Sequence, residues 1–280
     1  MQETTMPNAY IKDCIHKVIN ITGLLYAQLR RCRDSREENM AAHCSSTRYL
    51  FLLPLLACLS FPITFGISYG MYYPKSNASW DFPYISETGN TAPESCVFGQ
   101  LLNIAAVISA LTVYVRYKET KQALVQYLPS SHCYRVNFAT CVFGMLASFG
   151  VSMVGNFQMD SVLLVHFVGA GFAFILGSVY SWLQVYISFK LLMFNCSRPI
   201  FFVRIICSLI VTIFLIGTVV GSFLYGVYPR NQSYRLWSTT SEWIMAFGLA
   251  LLFASFAKEF RTIKFEKPRI SIIQEKLQKA

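Results

Sequence analysis

His166, Glu242, Glu94 and Asp160 are the titratable groups that stand inside or against the apolar stretches of this 280-residue chain. Around them lie Gln100, Asn103, Asn156 and Gln158. A charge at the centre of a bilayer costs roughly 2.5–3.5 kcal/mol even on the gentler insertion scale, so intramembrane ionisable groups face a partner or a cavity. Asn103, Asn156, Gln158, His166 and Glu242 are therefore the candidate members of a polar pocket. One chemistry open to such a pocket is proton abstraction by His166, with Glu94 or Glu242 orienting the ring, which requires hydrogen-bond reach directly or through one water. The other role is static, a set of interhelical hydrogen bonds that lock a bundle. The chain has no GxSxG, HExxH or P-loop motif and no His/Cys cluster at metal-ligand spacing. No cofactor and no metal are expected.

The remaining reactive side chains are scattered. Nine cysteines stand singly, without CxxC pairs, so they do not make a disulfide framework. Cys32, Cys133 and Cys196 lie near basic residues and are candidate acylation sites, or simply free thiols. Asn77-Ala78-Ser79 and Asn231-Gln232-Ser233 are glycosylation sequons. The same tripeptide pattern at Asn20 and Asn195 falls on segments expected to be cytosolic, where it stays unmodified.

The elements that must position these groups are six apolar stretches, at about 49–73, 97–115, 136–155, 161–189, 205–227 and 239–257. Each is close to the ~20 residues an α-helix needs to cross a hydrocarbon core of ~30 Å. Of the 24 Lys and Arg, all but Lys75, Arg230 and Arg235 fall on the ends or on alternate gaps between the stretches. Cationic residues concentrate on the cytoplasmic side. The reading is an all-α integral membrane protein, a six-transmembrane-helix bundle with both termini cytosolic. Hydrophobic residues at 54% and charged residues at 14% exclude an ordinary soluble domain of this length. The net charge of +10 then belongs to topology, set against anionic cytoplasmic lipid, and nucleic acid is not an expected partner.

Three regions follow. Residues 1–48 form a cytosolic extension in which Ile11, Ile15, Val18, Leu25 and Leu29 recur at helical spacing among basic residues, as in a helix lying on a membrane surface. Met40 is an alternative start. Residues 49–257 are the membrane domain, and residues 258–280 a basic cytosolic tail able to contact anionic lipid or to remain solvated. In the membrane domain, Gly66/Gly70 and Gly217/Gly221 are small-xxx-small pairs that permit close helix packing.

The first lumenal loop carries turn formers at Pro83 and Gly89 and a helix entry at Thr91-Ala92-Pro93-Glu94, with Thr91 or Ala92 at the cap. Such a built loop is a candidate recognition surface. The residues singled out are Pro83, Tyr84, Ile85, Ser86, Thr88, Gly89, Pro93 and Glu94.

From Pro83-Tyr84-Ile85-Ser86-Glu87-Thr88-Gly89 and Pro93-Glu94 onward the chain resembles the Frag, DRAM and Sfk superfamily, its DRAM (damage-regulated autophagy modulator) branch in particular. The likeness continues at Asn103-Ile104-Ala105-Ala106, Tyr114-Val115-Arg116-Tyr117-Lys118, Gly155-Asn156-Phe157-Gln158, His166 with Gly169, Gln184 with Ser188, and Glu242-Trp243. It covers about residues 49–260. Gly155 stands where these sequences usually have Ala, and Glu87 where they usually have Asp.

The resemblance implies a six-span protein of endomembranes, typically lysosomal, that promotes or modulates autophagy without known catalytic activity; the sequons add that it is a glycoprotein. Golgi or plasma membrane are the alternative locations, since the tail carries no convincing Tyr-based or acidic dileucine sorting signal. Its implied partners are membrane lipids and proteins of the autophagy machinery. Other branches resemble regulators of phosphoinositide kinase recruitment or factors that remodel glycosylphosphatidylinositol lipid. A transporter would need carboxylates near the midplane or an inverted repeat, and neither is evident.

Overall fold

A computed structural model describes residues 49–73, 82–193 and 196–263. Among them are six helices long and apolar enough to cross a membrane. They are α1 (Leu52–Tyr72), α2 (Glu94–Tyr127), α3 (Ser131–Asn156), α4 (Leu163–Lys190), α5 (Arg198–Val227) and α6 (Gln232–Ala254), with a short α7 (Ala257–Phe260) after a break at Ser255–Phe256. The described residues contain no strand. Large apolar side chains point outward along the helices, among them Leu56, Ile63, Phe149, Leu164, Ile213 and Phe223. Such a belt is intolerable in water and ordinary in lipid. The protein is an integral membrane helical bundle.

The apolar runs mark only the part of each helix that lipid must cover. At 34 residues, α2 is about 51 Å long, well beyond a ~30 Å core. Its last turns carry Arg116, Lys118, Glu119 and Lys121 past the apolar segment. Similarly, α6 starts at Gln232 rather than near 239, because the Asn231 side chain caps it by accepting the Ser233 N–H at 3.1 Å. Glu242 therefore does not open this helix but lies about three turns inside it. The entry to α2 also differs from expectation. Pro93 is the cap residue, no side chain caps the helix, and the Thr91 carbonyl accepts the Ser95 N–H at 2.8 Å.

Two close approaches set the position of α3. A Cβ on Gly99 of α2 would stand 2.5 Å from the Gly155 carbonyl oxygen, and a Cβ on Gly150 would stand 2.5 Å from that of Gly169 in α4. Only glycine allows the backbones this near. Just after Gly169, α4 passes through a π-helical turn at Phe172–Leu176. Gly217 and Gly221 of α5 face Ser241 and Ser238 of α6, as intramolecular packing requires, whereas Gly66 and Gly70 of α1 meet no atom within 4 Å. The α1 pair plays no part in packing among the described residues.

The N-terminal extension and the end of the tail, residues 1–48 and 264–280, fall outside the described residues. So do the sequon Asn77 and Asn195.

Candidate functional site

The loop between α1 and α2 is fastened to one end of the bundle. Its 3-10 turn, Ser86–Gly89, is buried at Ser86, Thr88 and Gly89. Glu87 draws the loop together by accepting the Tyr84 N–H at 2.8 Å, and its two oxygens accept from Arg235 of α6 at 2.9 and 2.7 Å. Trp243 donates its indole N–H to the Pro83 carbonyl at 3.0 Å. That indole stands among the rings of Phe65, Tyr69, Phe82 and Phe247, with centroids between 5.3 and 6.1 Å apart. Ser68 Oγ of α1 lies 2.8 Å from Thr88 Oγ1. A Cβ on Gly89 would collide with the Phe98 ring, so the turn presses directly on α2. Glu94 is buried in the first turn of that helix.

Beneath the loop is a partly open cavity of about 90 Å³. Ile85, Ser86, His166 and Glu242 line its loop end, and Phe65, Leu102, Val151, Phe174 and Ala246 are among its walls. Glu242 Oε2 accepts the Ile85 N–H at 3.2 Å, so a carboxyl group inside an apolar helix holds the loop backbone. His166, in the first turn of α4, has Nδ1 2.7 Å from the Phe157 carbonyl oxygen. A carbonyl can only accept, so Nδ1 carries the proton and Nε2 is left as an acceptor in the neutral ring. The group orienting His166 is thus a backbone carbonyl rather than Glu94 or Glu242.

The candidate pocket residues separate into two sets. His166 and Glu242 share the cavity. Asn103 and Asn156 instead exchange reciprocal amide hydrogen bonds at 3.0 and 2.9 Å, joined by Ser152 Oγ donating to Asn103 Oδ1 at 2.6 Å, and so fasten α2 to α3. The Gln158 carbonyl accepts from Ser161 and Val162 and shapes the turn into α4. Asn90 links that turn to the loop by accepting the Asp160 N–H at 3.2 Å.

The opposite end of the bundle holds a buried charge cluster made of residues that by sequence alone look like loop charge. Arg116 and Arg204 are almost wholly buried. Arg204 donates to Glu259 at 2.7 Å, to the Ser188 hydroxyl at 2.7 Å, and to the hydroxyl and carbonyl of Ser255 at 3.0 and 3.1 Å. Arg116 donates to Glu119 at 2.6 Å and to Gln184 at 3.2 Å. Both guanidinium groups lie over the Phe256 ring, at 5.1 and 4.9 Å. Two arginines and two glutamates balance, which is the condition for burying charge at all. This cluster pins the break between α6 and α7. Arg116–Glu119 at i,i+3 on one helix was the available sequence signal; the pairing of Arg204 with Glu259 had none.

Cys133 and Cys196, candidate acylation sites by sequence, are both buried. Their thiols are not presented at a surface.

A polytopic helical protein with a cavity beneath a fastened loop is the class that fold and site define. The chain matches the family model described as the Frag1/DRAM/Sfk1/Cwh43P N-terminal domain over residues 49–263 and belongs to that family. It is 32% identical to rat "DNA damage-regulated autophagy modulator protein 2" over 216 residues, 71% of this chain and 79% of that one. Human "DNA damage-regulated autophagy modulator protein 1" is 30% identical, covering 77% of this chain and 93% of its own. The Xenopus laevis "Modulator of macroautophagy TMEM150B-A" is 32% identical, covering 75% and 85%. No solved structure matches.

Proposed function

We propose that this chain is a non-catalytic, multi-pass modulator of autophagy. It acts in an endomembrane, lysosomal before Golgi or plasma membrane, and engages lipid or a protein partner of the autophagy machinery through its loop-covered end. The names of its relatives support the process. The observation that carries the site is Glu242, which lines the cavity and accepts the Ile85 N–H, making loop and cavity one unit. The loop end faces the lumen, where Asn77 and Asn231 receive glycans, and both termini are cytosolic. The sparse cations at that end, Lys75, Arg230 and Arg235, support this orientation.

The experiment is re-expression in cells that lack the protein. The double variant Glu87→Ala/Arg235→Ala removes the ion pair that fastens the loop and changes no residue lining the cavity. It should reach the same membranes as wild type yet restore little autophagic flux, read as turnover of the lipidated autophagosome marker with and without lysosomal inhibition. Full restoration of flux by that variant would overturn the reading. A second reading, lipid remodelling, draws on His166 and Glu242 lining one cavity. It requires that His166→Ala change membrane lipid composition while the protein remains folded.

A further inference from the structure

We infer that the cavity is a binding site for one single-chain lipid, its aliphatic tail threaded between the helices and a hydroxyl- or amino-bearing head set under the loop. This assigns a ligand class to the site of the proposed function and rests on that reading.

The dimensions select the tail. The lining runs from Phe98 to Val113 on α2, about 22 Å, and from Glu242 to Phe253 on α6, about 16 Å. Half of a ~30 Å hydrocarbon core is ~15 Å, the depth that one lipid tail fills in its own leaflet. A volume of about 90 Å³ with a lining drawn out along the helices favours one extended chain over a fused-ring sterol. Its walls are predominantly phenylalanine, leucine, valine and alanine, and its surroundings are lipid rather than water. The π-helical turn of α4 contributes Ala173 and Phe174 to the wall, and π-turns recur where a helix is shaped around a function.

The chemistry of the loop end selects the head. Three groups there can accept hydrogen bonds: Nε2 of His166, the Glu242 carboxyl group and the Ser86 hydroxyl, whose own proton points to Met159 Sδ at 3.9 Å. Among the described residues no Lys or Arg lines the cavity. A phosphate or carboxylate head would therefore meet acceptors and a carboxyl group without a cation to balance it. A sphingoid base or a monoacylglycerol supplies hydrogen-bond donors to these acceptors. At the far end, Ser109 Oγ has no hydrogen-bond partner among the described residues. This makes Ser109→Leu a variant that fills the slot while removing an orphaned hydroxyl, so the bundle has no reason to unfold.

The test uses full-length protein in cell membranes and three photoactivatable, alkyne-tagged probes: sphingosine, monopalmitoylglycerol and palmitic acid. Sphingosine and monopalmitoylglycerol should crosslink to peptides from α2, α3, α4 and α6, and Ser109→Leu should cut that labelling at least tenfold. Palmitic acid should label these peptides at least tenfold less. Glu242→Gln, which keeps the shape, should reduce sphingosine labelling more than monopalmitoylglycerol labelling. Equal labelling of wild type and Ser109→Leu, crosslinks confined to outward faces, or preference for palmitic acid would each overturn the assignment. Elution of the variant as a single species, with wild-type glycosylation, reports its folding. Labelling lost with flux intact would leave the lipid site standing and separate it from the proposed function. Flux lost on loop release without any cavity labelling would do the reverse.

Discussion

Arg204 and Glu259 meet at 2.7 Å inside the bundle, with the guanidinium fully buried and the carboxylate nearly so. Removing one partner of such a pair leaves an uncompensated charge in low dielectric, which costs about 3–5 kcal/mol. Arg204→Met should therefore lower the thermal midpoint of the detergent-solubilised protein sharply. Arg204→Met/Glu259→Leu should recover most of the loss, because Arg116 keeps Glu119 at 2.6 Å. A double variant no better than the single would show that the pair does not act as a unit.

The contact between α3 and the π-turn region of α4 is equally specific. A methyl on Gly150 would stand 2.5 Å from the Ala173 nitrogen and the Gly169 carbonyl oxygen. Neither backbone atom can swing aside, so Gly150→Ala should destabilise by about 1–3 kcal/mol. Gly66→Ala, placed where no atom lies within 4 Å, should be silent in the same melting experiment. Comparable losses from both would contradict the packing described.

Much of this was legible in the residues. Six apolar stretches and their alternating flanks of charge encode the bundle, because lipid tolerates few backbone solutions. The loop was legible as a built element from Pro83 and Gly89. Its fastening was not, because Glu87 and Arg235 are 148 residues apart and each looks like an ordinary loop charge. His166 and Glu242, candidate pocket members by sequence, both line the cavity beneath the loop. Asn103 and Asn156 were grouped with them because helical depth can be counted along a chain, whereas the direction a side chain faces depends on its neighbours. Arg204 shows the same limit: a topogenic arginine and a buried one look alike until the helix beside it supplies Glu259.

Ser109 offers a stability prediction that needs no ligand. Its buried hydroxyl has no partner among the described residues, while Ser148 on the facing wall donates to the Gly144 carbonyl at 2.9 Å. An unsatisfied buried polar group costs about 1–3 kcal/mol. Ser109→Leu should raise the thermal midpoint of delipidated protein, and Ser148→Leu should not. A lower midpoint for Ser109→Leu would mean that the hydroxyl is satisfied or that the slot cannot admit the side chain.

Asn231 separates orientation from helix capping. It is exposed, and its Oδ1 caps α6. Asn231→Asp keeps a capping oxygen but accepts no glycan, whereas Asn231→Gln forfeits both, at a cost of about 1 kcal/mol for the cap. The glycosidase-sensitive mass shift should fall by one glycan in both variants, leaving that of Asn77, with stability falling only in the second. Absence of any glycan on wild-type Asn231 would count against a lumenal loop end.

The most direct measurement is an experimental structure of the full-length protein in lipid nanodiscs, resolved well enough to see between α2, α3, α4 and α6. The cavity account predicts one elongated density against Leu102, Phe174 and Ala246, ending beside His166 and Glu242 under a closed loop. A slot filled by its own side chains, or a loop lifted away from Arg235, would contradict it.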